Sequence, residues 1–269
     1  MARIGLIAGN GRLPFLYAQA AHEQGHQVVA VAHRGETDPS LEGQVDACAW
    51  VRVGQVDRIL KAFRKEGVTQ AVMAGGIGRV RAIAEARPDF GAVRIISRLR
   101  SFRDDALLRA VAGYFEEAGV AIVAATALLP RLLAQEGHLA GPALSAAQEQ
   151  DVRLGVEVAR ALGKVDVGQT VVVKGGHVLA LEAVEGTDET LRRGGTLGGA
   201  GGTVVKLAKP EQDERFDLPA VGPRTIAVMR EVGLKTLAVE AGRTLLLDAP
   251  ELFSEAERHG ISVVAVRTG

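Results

Sequence analysis

A single cysteine, Cys48, stands in a chain of 269 residues, so neither an intramolecular disulfide nor a cysteine-rich metal site can form. Set in DACAWV, it is expected to be a core thiol in a buried strand. Aromatic residues make up 4% of the chain, too few for the platforms on which single-stranded nucleic acids stack. Neither sign of charge is in excess. Thirty-two Lys and Arg balance 32 Asp and Glu, which argues against nucleic acid as a bulk electrostatic partner and leaves room for a local charged site. Long apolar runs are also lacking: AGVAIVAATALLP, the nearest, falls short of the ~20 residues that a membrane span needs. The chain runs straight into RIGLIAGNG with no charged-then-apolar leader. A cytoplasmic protein is expected, one that would meet a lipid at the membrane surface.

What is present is the alternation of an α/β protein, long enough for two domains with a core each. Over residues 1–136 the apolar runs RIGLIA, QVVAVA, ACAWV, QAVMAGG and VAIVAA alternate with helices such as LPFLYAQAAHEQG, VDRILKAFRKEG and DDALLRAVAGYFEEAG. Short, continuously apolar strands separated by helices imply a parallel sheet covered on both faces, a doubly wound, Rossmann-like domain. The stretch 126–145, broken by Pro130, Gly137, Gly141 and Pro142, reads as a linker. Residues 145–269 read as a second α/β domain with a mixed sheet. It opens with the helix AAQEQDVRLGVEVARALG and a hairpin, QTVVV and VLALEAV, turning through Gly175 and Gly176. Its last helix has Asp248 as the expected cap and Pro250 in the first turn.

Several short stretches carry chemistry. GLIAGNGRLP puts Gly9, Asn10 and Gly11 between the first strand and a helix, where amides and a helix N-terminus can face an anion. Pro14 stands where a dinucleotide fingerprint needs its third glycine, and the second strand ends on His33 and Arg34, with no acid there for a ribose. AGGIGR adds Gly75 and Gly76 at a second strand end, on the same edge as the first; a plain turn is an equal reading. HEQGH matches a zinc-protease pattern letter for letter, but Gly25 ends the helix between His22 and His26, so no zinc site is expected. Asp104 and Asp105 suit the start of a helix, as do Thr187 and Asp188, for which capping is a sufficient role. Glu182, Glu185 and Asp188 also form an acidic edge there.

The densest signal is GTVVKLAKPEQDERFDLPAVG. Lys206 and Lys209 lie on an expected strand ended by Pro210, and Asp213 and Asp217, four apart, share a side whether extended or helical. Mg²⁺ is typically held by one or two carboxylates plus substrate phosphates, with lysines neutralising the remaining charge. The other reading is a solvated loop whose ion pairs stabilise little. On composition alone both stay open.

These segments, with DDALLR, ARALGKVDVGQTVVV, EAVEGTDETLRR and AVEAGRTLLLD, run in one order over nearly the whole chain. In that order the chain resembles the LpxI-type UDP-2,3-diacylglucosamine pyrophosphatases of lipid A biosynthesis. The resemblance implies two domains around a substrate chamber, a homodimer, and a divalent cation such as Mg²⁺. It further implies hydrolysis of UDP-2,3-diacylglucosamine to UMP and 2,3-diacylglucosamine 1-phosphate at the surface of the inner membrane. The family's essential aspartate belongs to FDLP, here Asp217. Asp217 would bind the cation or orient water with Asp213 as the second carboxylate, and Lys206 and Lys209 would stabilise charge on the pyrophosphate. Thr187, Asp188, Gly9, Asn10, Gly11, Gly75 and Gly76 would contact substrate. Competing readings are a non-catalytic nucleotide-sugar or lipid-binding protein, and an oxidoreductase in which Arg34 reads the 2′-phosphate of NADP.

Overall fold

Strands form where Val, Ile, Leu and Ala follow one another without polar interruption, and in the computed structural model these runs build, among the described residues, a five-stranded sheet, a six-stranded sheet and a separate two-stranded pair. The structure describes residues 2–78, 86–99, 104–210, 213, 215, 216 and 218–268. Contacts divide the chain into two units, Met1–Pro130 with Asp213–Asp217, and Arg131–Gln212 with Leu218–Gly269.

The first unit holds β1 (Arg3–Ala8), β2 (Gln27–His33), β3 (Ala47–Val51), β4 (Gln70–Ala74) and β5 (Ala121–Ile122). Their order is β3-β2-β1-β4-β5, with every pairing parallel. Parallel neighbours need crossovers, which the helices Leu13–Glu23 and Val56–Lys65 supply. The order reverses between β1 and β4, the switch point of a doubly wound sheet, as expected for a Rossmann-like unit. On one side Phe63 and Phe115 meet edge to face, ring centroids 6.4 Å apart, within a cluster that includes Val29, Val31, Ile59 and Ile122. Cys48 departs from expectation. Its strand is the sheet's edge and half-exposed, so the thiol lies outside the core; partial burial nevertheless raises its pKa to about 11.

Gly113 sits inside the helix Asp104–Glu117, and a Cβ there would meet nothing within 4 Å. Glycine inside a helix costs roughly 0.5–1 kcal/mol relative to alanine. Gly113→Ala is therefore expected to raise stability by about that amount, measured by urea denaturation as a higher midpoint at unchanged slope.

The second unit holds β6 (Gly137–Ala140), β7 (Thr170–Lys174), β8 (His177–Leu181), β9 (Thr203–Lys206), β10 (Ala220–Val221), β11 (Thr236–Glu240), β12 (Leu245–Leu246) and β13 (Ser262–Val266). Six of them form one sheet ordered β6-β13-β11-β9-β7-β8, while β10 and β12 pair separately. The centre, β9, β11 and β13, is parallel; β6, β7 and β8 run antiparallel to their neighbours, which makes the sheet mixed. The β7–β8 turn uses Gly175 and Gly176 at φ 58° and 77°, and Asp151 accepts both amides at 2.9 and 2.8 Å. The stretch 126–145, expected to be a linker, contains β6, whose residues pair with β13. Asp248, expected to cap the last helix through its carboxylate, adopts φ 47° and makes no capping bond, although Pro250 still occupies the first turn of Ala249–Arg258.

Candidate active site

All four residues of β9 are buried, which puts the ammonium of Lys206, the last of them, inside the second unit at 7% exposure. A desolvated charge is tolerated only when partners replace its water. Lys206 Nζ donates to Thr187 Oγ1 at 3.1 Å and to the Ala220 carbonyl at 3.0 Å. Thr187 in turn donates its hydroxyl to Glu182 Oε1 at 2.9 Å, and the other oxygen of Glu182 accepts the Gln169 amide at 3.3 Å. Glu182 is itself 7% exposed. The carboxylate fixes the hydroxyl's direction, and the hydroxyl's lone pair faces the ammonium. Thr170, directly across the ladder from Lys206, has a buried hydroxyl with no hydrogen-bond partner among the described residues.

The helix Thr187–Gly198 is capped by neither Thr187 nor Asp188, contrary to expectation. Gly186, at φ 83°, takes the N-cap position and makes no side-chain cap, so Thr187 is free to turn toward Glu182 and Lys206. Asp188 pairs with Arg224, at 2.7 Å from Nη2 and 2.9 Å from Nε. Glu185, the third acid of that edge, accepts from Arg193.

Lys209 leaves the strand. The Ala208 amide donates to the Glu240 carboxylate at 2.9 Å instead of continuing the ladder, so β9 stops at Lys206 before Pro210 is reached. Lys209 Nζ then meets Asp166 Oδ1 at 2.6 Å. The structure gives the two lysines different partners.

Asp213 belongs to the first unit. Its carboxylate takes three contacts from the Arg215 guanidinium, at 2.8, 3.0 and 3.3 Å, with Arg109 Nε 3.7 Å away. The hydrogen bonds from Arg215 hold its carboxyl below the ordinary value, against a burial effect that would raise it. Arg215 also donates to Glu116 and stacks over Phe216, whose ring packs on the core of that unit. Asp217 lies outside the described residues. Among the described residues no three His, Cys, Asp or Glu side chains gather as a metal group would require. With the lone pairs of Asp213 turned to Arg215, the described donors do not fit a protein-built cation cage.

At the carboxyl edge of the first sheet the two glycine turns are joined. The Gly9 amide donates to the Ala74 carbonyl at 2.8 Å and the Asn10 amide to the Gly76 carbonyl at 2.7 Å. A Cβ on Gly9 would lie 2.2 Å from Gly76 O, and one on Gly75 2.3 Å from Asn10 O. Two amides expected to face an anion thus bond the neighbouring turn. Gly11, at φ 85°, has open space around it. Asn10 Nδ2 donates to Glu36 Oε2 at 2.9 Å, and the same oxygen accepts the Gly78 amide at 3.1 Å. Glu36 escaped sequence reasoning because it lies three residues beyond the strand end where an acid was sought. The Asp104 and Asp105 side chains lie outside the description, though their helix does begin at Asp104. His22 bonds Asp46 at 2.9 Å.

Comparison with known proteins bears on the whole chain. Residues 3–132 match the model of the LpxI N-terminal domain and residues 135–264 that of the LpxI C-terminal domain. The chain is similar to the UDP-2,3-diacylglucosamine pyrophosphatase LpxI of Caulobacter vibrioides. The two are 34% identical over 277 residues, covering 99% of this chain and 98% of that protein. Likenesses to solved structures are weak. The crystal structure of gox2253 gives a TM-score of 0.32 at 13% identity, covering 98% of this chain and 89% of that one. N5-carboxyaminoimidazole ribonucleotide synthetase from Thermotoga maritima gives 0.27 at 14% identity, covering 69% and 43%.

Proposed function

This chain belongs to the LpxI family, and on that premise we propose that it hydrolyses the pyrophosphate bond of UDP-2,3-diacylglucosamine, releasing UMP and 2,3-diacylglucosamine 1-phosphate in lipid A synthesis. The observation that carries the reading in this chain is the buried ammonium of Lys206, held by Thr187 with Glu182 behind it. Cleaving a phosphoanhydride moves negative charge onto the departing phosphate oxygens. A cation fixed beforehand in a water-poor setting stabilises that charge without having to reorganise. Thr187 and Glu182 hold Lys206 in one position, and the water's proton needs an acceptor. Asp217 is assigned that role or the orientation of the water, by its place in FDLP. Asp213, paired with Arg215, is assigned to positioning the residues that lead to Asp217. Lys209 and Asp188 take supporting electrostatic roles.

The proposal extends to a divalent cation such as Mg²⁺, held by the substrate's phosphates and Asp217, which supplies Lewis-acid charge when bound. It extends also to a cytoplasmic homodimer that meets its diacylated substrate at the inner-membrane surface. No helix among the described residues is long and apolar enough to cross a membrane.

The test is a turnover assay on UDP-2,3-diacylglucosamine in detergent micelles, with products identified by mass spectrometry, run with Mg²⁺ and with a chelator. UMP and the diacylated sugar phosphate are expected in equal amounts, and only with the cation. Folded protein that forms neither product under any divalent cation would overturn the reading.

A further inference from the structure

The helix Phe90–Arg98 of the first unit buries one side and leaves large apolar residues on the other. Gly91, Ala92 and Ile95 face inward, and Ala92 and Ile95 belong to the unit's core. Phe90, Val93 and Ile96 stand outward at 79%, 52% and 45% exposure. A single exposed apolar residue needs no explanation, but three at successive i, i+3 positions form a strip along one helix.

The unit holds this helix in a fixed pose. Asp89 caps it: one carboxylate oxygen accepts the Ala92 amide at 3.1 Å and the other the Asp57 amide at 2.8 Å. Asp57 in turn accepts the Gly91 amide at 2.8 Å and the Tyr114 hydroxyl at 2.7 Å. A Cβ on Gly91 would lie 2.5 Å from Asp57 Oδ1, so glycine is what admits the carboxylate. Both acids at the helix start are therefore turned to internal donors. The amides of Gly91 and Ala92 are satisfied without water, and that end of the helix can leave water without stranding them.

The polar part of the outward surface is basic. At about 100° per residue the order around the helix is Ile96, Val93, Phe90, Arg94, Arg98, an apolar strip that gives way to a cationic one. Arg94 and Arg98 share one carboxylate, Glu117, at 4.0 and 3.6 Å, so positive charge is left over. Beside Arg94 a crevice of about 870 Å³ brings in Lys61, Arg64 and Lys65, against the already engaged Asp57 and Glu117. Lys61 is exposed and has no ion-pair partner among the described residues. An apolar strip with cations along one edge matches the boundary of a phospholipid layer, acyl chains below and phosphates above. Two copies of this face, by contrast, would set arginine against arginine.

We propose that this face docks the first unit on an anionic phospholipid surface. Phe90, Val93 and Ile96 enter the acyl boundary, and Arg94, Arg98 and Lys61 take lipid phosphates. The purpose of docking rests on the hydrolase reading above, whose diacylated substrate is met at such a surface; the face itself is drawn from the helix and its charges. The contact is small, and so reversible.

The full chain is floated, without substrate, on vesicles of phosphatidylethanolamine and phosphatidylglycerol, with phosphatidylcholine vesicles as the uncharged reference. Binding is expected on the anionic vesicles and should weaken as salt rises. Phe90→Ser, at a side chain 79% exposed, should cut partitioning about tenfold or more and leave the melting temperature unchanged. Arg94→Gln combined with Arg98→Gln should cut it by about tenfold as well. Absence of binding to anionic vesicles, or binding indifferent to both changes, overturns the proposal. A wild-type dimer that Phe90→Ser turns into a monomer, with no vesicle binding by either, also overturns it and assigns the strip to a second copy. Turnover without vesicle binding would leave the hydrolase reading standing and this one fallen. Vesicle binding that the variants lose, in a protein without turnover, would do the reverse.

Discussion

Lys206→Met is expected to leave about 1% or less of wild-type turnover in a protein that still folds. Methionine keeps the length and apolar stem of lysine and removes the charge. Losing one preorganised donor at a developing oxyanion costs on the order of 10²–10³ in kcat. The fall should appear in kcat and in kcat/KM alike with KM little changed, since the ammonium is assigned to charge that develops as the bond breaks. Stability gives the control. The Ala220 carbonyl loses its donor while Thr187 keeps Glu182 as its acceptor. An orphaned buried acceptor costs about 1–3 kcal/mol, and the half-buried Ala220 carbonyl lies toward the lower end of that range. Removing a desolvated charge in favour of an apolar side chain offsets part of that cost. A melting temperature within a few degrees of wild type, with turnover lost, would assign Lys206 to chemistry. Turnover within about threefold of wild type would reduce it to a satisfied core lysine and move the proposed charge stabilisation elsewhere. Asp217→Asn, assayed alongside, should give a loss of similar size; retained activity there would separate this chain from the FDLP assignment.

The reasons some of this was legible in the sequence, and some was not, are physical. The parallel sheet could be read because a strand buried on both faces is apolar throughout, as IGLIA and VVAVA are. The same rule failed for ACAWV, because an apolar run does not say whether the strand has one neighbour or two; only the sheet order makes β3 an edge. That Lys206 shares its strand with apolar neighbours was visible in TVVK; that its ammonium is buried was not. Nor were its partners, since Thr187, at the start of a helix, and Ala220, in β10, lie far from it in sequence. Lys209 was expected to share its strand because proline was the visible stop. The actual stop is a buried carboxylate, Glu240, that takes the Ala208 amide, a contact no local pattern shows. Thr187 was expected as a cap because threonine often is one. Gly186 reaches the cap conformation without a side chain, and the hydroxyl was left for the site.

Gly9→Ala is expected to destabilise the first unit by about 3 kcal/mol, near the upper end of what overpacking by one methyl costs. The reason is what the methyl would meet: Gly76 O at 2.2 Å and Gly75 C at 2.8 Å, both backbone atoms. A side chain could rotate away, but these atoms are fixed by the Asn10-to-Gly76 and Gly9-to-Ala74 hydrogen bonds. Relief requires parting the turns that follow β1 and β4 at the switch point of the sheet. In a chain of this size 3 kcal/mol corresponds to a fall of roughly 6–12 °C in melting temperature. Gly43→Ala is the matched control, because a Cβ there meets nothing within 4 Å, and it should stay within about 0.5 kcal/mol of wild type. The pair also separates two uses of glycine that a sequence cannot tell apart. If Gly9 is needed so that a phosphate can approach, Gly9→Ala keeps its melting temperature and loses nucleotide affinity. If it is needed so that one turn can bond the next, the melting temperature falls even without ligand. The bonded turns support the second use, and they leave Gly11, which has open space around it, as the glycine of that loop at which an anion can approach.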